Sequence, residues 1–104
     1  MIDPEDHRAH LQAKLNGETA KMPWRELQRF FAQGRAIRVA AGLDLIEVAT
    51  SFTQDRAERV QSWTDSGKID AVSDDLARAW FEADALVWAV VVRPWVLVQP
   101  VETH

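Results

Sequence analysis

The chain has 104 residues, of which 47% are hydrophobic and 27% are charged, and its formal net charge is −4. This length and composition fit one folded domain and argue against a disordered chain. The absence of cysteine excludes disulfides, iron–sulfur clusters and thiol catalysis, and the negative net charge makes nucleic acid an unlikely partner, because such binding depends on neutralising phosphates.

We expect residues 1–104 to form a single domain whose ends, residues 1–6 and 100–104, are flexible. The first residues have neither the basic start nor the apolar run of a signal peptide, and no apolar run is long enough to span a bilayer as a helix. A cytoplasmic protein without membrane contact is therefore expected.

The first half of the chain predicts two helices and a strand. A helix is expected from about Glu5 to Ala20. A second helix begins after Pro23, which suits a first-turn position, and stops at Gly34. Residues 35–40 then alternate between polar and apolar side chains, which indicates a half-buried strand.

The next two helices form a pair. Asp44 and Glu47 have the spacing of a capping box, and the apolar residues after them recur at helical spacing through Phe52. The chain breaks near Asp55, and the following helix ends at Gly67.

A second strand is expected at residues 68–72, and Ser73 is a good N-cap for the helix that follows. Residues 87–99 read as one long strand, in which Pro94 marks a bulge, a bend or an edge. The predicted fold class is therefore α+β: a small three-stranded antiparallel or mixed sheet (35–40, 68–72 and 87–99) packed with four to five helices.

Residues 24–72 follow the element order of a winged-helix domain, although the turn between the paired helices lacks glycine and a helix replaces the wing loop. A winged-helix-type DNA-binding regulator is thus an alternative function. The side chains that would contact DNA are Arg56, Arg59, Gln61 and Lys68. The charges between residues 55 and 68 sum to zero, which disfavours this alternative.

Few residues form a pattern suited to catalysis. His7 and His10 could share a helix face, but two histidines are too few for a zinc site. Helix capping explains Asp44 and Glu47 more simply than an acid–base pair does. The sequence has no phosphate-binding glycine loop and no nucleophile elbow. We therefore expect no enzymatic activity, no metal and no cofactor.

The C-terminal segment is the strongest candidate for an interaction surface. It is apolar on both faces, so it needs burial twice. An unbroken strand would place Trp88 and Trp95 on opposite faces, so that at most one faces the main core. If the segment lay at a sheet edge, it would pair with another chain. The predicted interface residues are Trp88, Val90, Val92, Trp95 and Leu97.

The chain from about Leu11 to Gln99 also resembles a small bacterial family of unknown function, DUF2288. The residues that carry the resemblance include Lys14-Leu15, Glu18-Thr19-Ala20, Trp24, Glu26-Leu27, Phe31-Ala32, Gly34, Leu43-Asp44-Leu45, Glu47-Val48-Ala49, Trp80, Trp88 to Val92 and Pro94 to Gln99. The resemblance implies a bacterial origin but no activity. The leading hypothesis is a non-catalytic protein-interaction module with an unknown partner, for which a homodimer through the C-terminal strand is one expected form of association.

Overall fold

A computed structural model describes residues 4–101 of the chain. Its elements, in chain order, are α1 (Pro4–Glu18), β1 (Ala20–Pro23), a 3₁₀ helix (Trp24–Leu27), α2 (Gln28–Ala32), β2 (Ala36–Val39), α3 (Leu45–Thr53), α4 (Ala57–Asp65), β3 (Ile69–Ala71), α5 (Asp74–Glu82), β4 (Leu86–Val92) and β5 (Trp95–Pro100). None of these helices is long and apolar enough to cross a lipid bilayer.

The strands form one open mixed sheet of five strands in the order β1-β4-β5-β2-β3. All neighbouring strands are antiparallel except β2 and β5, which are parallel. The predicted α+β class and mixed sheet are therefore confirmed. The prediction of three strands is wrong, because β1 was missed and the segment 87–99 forms two strands.

The long C-terminal strand folds back on itself at Arg93 and Pro94, which are joined by a cis peptide bond. Val92 pairs with Trp95 across this turn, so β4 and β5 form a hairpin. A bend was one of the three roles predicted for Pro94, and the structure places Pro94 in this turn. Trp88 and Val92 are four residues apart on β4 and share a face, because side chains alternate along a strand. Trp88 and Trp95 therefore lie on the same face of the sheet and not on opposite ones.

The two edge strands are short. Residues Ala20–Pro23 of β1 pair only with Leu86–Ala89 of β4, and β3 pairs only with β2. The sequence gives little indication of strand β1. Its first two residues are exposed and its last two are partly buried, so its side chains lack the alternation that predicts a strand. The pairing with the valine-rich β4 defines it.

Helices of the same chain cover both faces of the sheet. One face packs against α1, α3 and α4, and its buried residues are Leu15, Val39, Leu45, Val48, Ala49, Ile69, Val90, Val92 and Leu97. The other face packs against the 3₁₀ helix and α5, and its buried residues are Trp24, Leu27, Ala36, Val72, Ala77, Trp80, Val87, Ala89, Val96 and Val98. The central hairpin is thus buried twice, as its two apolar faces require.

The predicted helix ends are largely observed. The carboxylate of Asp44 accepts hydrogen bonds from the backbone N–H groups of Ile46 and Glu47 at the start of α3. The hydroxyl of Ser73 accepts one from Leu76 at the start of α5. The predicted second helix differs, because its first turn is the 3₁₀ helix and only the remainder is α-helical.

Other predictions of the chain's organisation have mixed outcomes. Helix α1 begins at Pro4 and β5 ends at Pro100, so part of each end that was expected to be flexible is regular structure. Residues 1–3 and 102–104 lie outside the described residues. The winged-helix resemblance is not confirmed, because β3 pairs with β2 and forms no wing hairpin with the following strand β4.

The side chain of Gln99 fixes the loop that leads into α3. Its amide nitrogen donates to the carbonyl oxygens of Ala40 at 2.8 Å and Leu43 at 2.6 Å. We expect Gln99→Glu to lower the free energy of unfolding by about 1–3 kcal/mol, since a carboxylate cannot donate and would remove the hydrogen bonds to both carbonyls, of which that of Ala40 keeps the backbone N–H of Leu43 as a donor. Urea unfolding checks this value. Gln33→Glu adds the same charge at an exposed position and should change it by less than about 0.5 kcal/mol.

Candidate interaction surface

The structure divides the predicted interface residues between core and surface. Val90, Val92 and Leu97 are 1%, 7% and 0% exposed and pack in the same core as α3. These three side chains are therefore core residues, a correction to the interface predicted from the sequence. Trp88 is 38% exposed and Trp95 is partly buried, so only these two reach the surface.

The hairpin lies inside the sheet, yet one of its edges is partly free. β5 is flanked by β4 and β2. The partner of β4 on its outer side is β1, which reaches only to Ala89. Among residues 4–101, no strand lies beside Val90–Val92 on that side. We call the outer side of this segment the open edge.

Exposed apolar side chains concentrate on β4. Leu86, Trp88 and Val91 are 48%, 38% and 44% exposed. The ammonium group of Lys21 lies 5.5 Å from the centre of the Trp88 ring, a cation–π contact that shields part of the indole. Val91, which belongs to the open edge, is the exposed apolar residue of β4 farthest from β1.

The other edges of the sheet carry features that prevent strand pairing. Lys21 and Pro23 lie on β1, and Asp70 lies on β3, where its carboxylate accepts a hydrogen bond from Arg38 at 2.7 Å. Charges and proline at an edge oppose the addition of another strand. The open edge consists of three valines and has neither feature, so it is the least protected edge of the described sheet.

The predicted DNA-contacting residues do not form one free basic surface. Arg59 donates to the carboxylate of Glu47, and Gln61 donates to Asp65 at 2.7 Å. Arg56 and Lys68 have no ion-pair partner within residues 4–101. They flank opposite ends of α4, whose nine residues separate them by roughly 13 Å or more.

The acidic pair that was considered as a catalytic candidate has structural roles. Asp44 caps α3, and Glu47 lies within ion-pair distance of Arg8 and Arg59. Glu47 thereby links α1, α3 and α4. His7 lies exposed on α1, and the described part of the chain contains no group of three metal-ligating side chains.

A cavity of about 580 Å³ opens beside the turn between β4 and β5. The turn between α3 and α4 forms its opposite wall. Its lining includes Phe52, Asp55, Arg56, Val60, Arg93 and Trp95. Sequence analysis missed this cavity, because its two walls are about 40 residues apart in the chain and no local pattern connects them.

Comparisons with known proteins identify a family but no activity. The model of a family described as a protein of unknown function, DUF2288, matches residues 10–100. The chain is also similar to the protein PA1075 from Pseudomonas aeruginosa, known from an NMR solution structure. The two chains share 41% sequence identity over 100% of each, with a TM-score of 0.77. No curated protein matches the chain.

Proposed function

The chain belongs to the DUF2288 family, whose function is unknown, and from this premise we propose that it is a non-catalytic protein-interaction module of the bacterial cytoplasm. We further propose that it associates with a second copy of itself along the open edge of β4. The hypothesis from the sequence placed the contact on the broad face of the C-terminal segment. That face is buried within the chain, so the contact proposed here is at the edge of the segment.

The observation that carries the proposal is the outer side of the segment Val90–Val92, which has no strand partner within residues 4–101. Strand β4 continues three residues past the end of β1, and Val91 in this extension is 44% exposed. An unpaired strand offers main-chain N–H and C=O groups to another strand, and such strand addition is a common mode of association. Uncharged valine side chains favour this pairing.

A second copy fits this edge because the segment is self-complementary. Two identical strands that pair antiparallel are related by a two-fold axis, as in most homodimers. In such a pair, the Arg93 that follows the edge of one copy approaches the C-terminal end of α1 in the other. That helix has Glu18 and no basic residue in its last turn, so Arg93 would meet the negative end of the helix dipole.

The small size of the open edge sets the expected strength of association. Three residues supply few main-chain hydrogen bonds, and interfaces of small area are typically transient. We therefore expect a reversible dimer whose population rises with protein concentration.

Val91→Lys tests the proposal. The lysine places a charge on the open edge, and we expect it to weaken dimerisation at least tenfold, because unpaired edge charges oppose strand addition. Sedimentation equilibrium over a range of protein concentrations measures the dissociation constant. Leu86→Lys is the control, since it adds the same charge to an exposed residue of β4 that already pairs with β1. A wild-type chain that is monomeric at millimolar concentration would contradict the proposal, as would equal effects of the two variants.

The winged-helix-type DNA-binding regulator stays the alternative. Arg56 and Lys68 support it, since their side chains are exposed and lack ion-pair partners within residues 4–101. The acidic side chains of Glu58 and Asp65, which are also exposed on α4, would oppose phosphate. Fluorescence anisotropy of mixed duplex DNA at low and moderate salt tests it, and binding that weakens steeply with salt would favour the regulator.

A further inference from the structure

The cavity beside the turn between β4 and β5 combines free positive charge with an apolar wall. Arg56 lies on one side and Arg93 on the other. Neither guanidinium forms an ion pair within residues 4–101. Asp55 contributes the acidic side chain of the lining, so the formal charge of the lining is +1.

The N-terminal end of α4 borders the same cavity, because Arg56 and Ala57 line it. Arg56 is the N-cap of this nine-residue helix and makes no side-chain capping bond. The positive end of the helix dipole favours an anion near this end of α4. An arginine at this position does not stabilise the helix, because it neither caps the amides nor complements the dipole.

The remaining lining is suited to an apolar group. Phe52, Val60 and Trp95 line the cavity together with the two arginines. A volume of about 580 Å³ lies within the range of sites for small organic molecules.

We propose that this cavity binds a small organic anion, a carboxylate or phosphate attached to a planar apolar body. Arg56 and Arg93 hold the anionic group beside the N-terminal end of α4, and the apolar body packs against Trp95. Charge-assisted hydrogen bonds from guanidinium groups are strong and orient such anions. This site adjoins the open edge, because Val92 lines the cavity and Arg93 follows that edge, but anion binding does not require self-association.

The test is a titration of the full-length protein followed by ¹H–¹⁵N NMR at constant ionic strength. The probes are phenyl phosphate, benzoate, inorganic phosphate and phenol. We expect saturable shifts of the backbone amides of Arg56 and Ala57, which line the cavity, and of the Trp95 indole N–H with phenyl phosphate or benzoate. Whichever of phenyl phosphate and benzoate binds more tightly shows whether the site prefers a phosphate or a carboxylate. Inorganic phosphate and phenol each lack half of the recognised features and should bind at least tenfold more weakly.

Variants separate this site from general surface charge. Arg56→Gln and Arg93→Gln should each weaken binding about tenfold, as expected for the loss of a charge-assisted hydrogen bond. Asp55→Asn should strengthen binding several-fold, because it removes the opposing carboxylate. Arg29→Gln is the control, since Arg29 is exposed and lies outside the cavity.

Three results would overturn the proposal. Shifts that do not saturate, or that spread over the surface, would show that no site is present. An equal loss of affinity in Arg29→Gln and Arg56→Gln would show that the anion responds only to overall charge. Phenol binding as strong as that of phenyl phosphate would likewise exclude an anion site.

Discussion

Replacing Trp24 by alanine is expected to lower the free energy of unfolding by about 3–5 kcal/mol, the typical cost of removing a buried aromatic side chain. Trp24 is 0% exposed. Its ring packs edge-on against Phe31 and Trp80, with centroid distances of 5.8 and 5.1 Å. The substitution therefore removes the centre of the core between the sheet and α5. Unfolding in urea, monitored by far-UV circular dichroism, measures the loss.

Two further substitutions make this expectation specific. Trp88→Ala removes the same side chain from a position that is 38% exposed, and should cost less than about 1 kcal/mol. Trp24→Phe should cost less than Trp24→Ala, because it keeps an aromatic ring and removes an indole N–H that has no hydrogen-bond partner. A buried donor without a partner is itself destabilising by about 1–3 kcal/mol. Equal losses in Trp24→Ala and Trp88→Ala would contradict the assigned burial.

Leu97→Ala is expected to lower the free energy of unfolding by about 2–5 kcal/mol, through lost burial and the cavity that remains. Leu97 is 0% exposed and lies in the core beneath α1 and α3. It pairs with Val90 of β4 and Ile37 of β2, so neighbours on both sides restrict collapse into the vacated space.

Leu86→Ala is the matched control for Leu97→Ala. Leu86 is 48% exposed, and its truncation should change the free energy of unfolding by less than about 1 kcal/mol. If Leu97→Ala left the free energy of unfolding unchanged, the central hairpin would not be buried on this face. The broad face of the segment 87–99 would then be available as an interface after all.

Helices are the part of the fold that the sequence predicts best. The apolar spacing after Asp44 and the capping side chains of Asp44 and Ser73 are local signals, and local contacts satisfy them in the structure. The helical ends at Gly34 and Gly67, both at positive φ, follow from the freedom of glycine in that region.

The strand pattern was less informative, for a physical reason. A two-residue turn at Arg93 and Pro94 leaves apolar residues on both sides of it, so the segment 87–99 looks continuous in the sequence. Only the pairing of Val92 with Trp95 reveals the hairpin. Strand β1 was missed because its four residues are defined by a partner more than 60 residues away.

The candidate sites depend on contacts that the sequence does not encode locally. The prediction that the C-terminal segment carries an interaction surface was made from its two apolar faces, yet α3 and α5 lie over those faces. The exposed part is an edge that exists because β1 is shorter than β4. Arg59 looked available for DNA, but Glu47, twelve residues earlier, binds it.

The most direct test of self-association is an NMR experiment on a mixture of two differently labelled copies of the chain. One copy carries ¹³C-labelled valine methyl groups, and the other carries ¹⁵N in a deuterated background. We expect intermolecular nuclear Overhauser effects between the Val91 methyl groups of one copy and backbone amides of the segment Val90–Val92 in the other. Intermolecular contacts elsewhere, with none at the open edge, would contradict the proposed dimer.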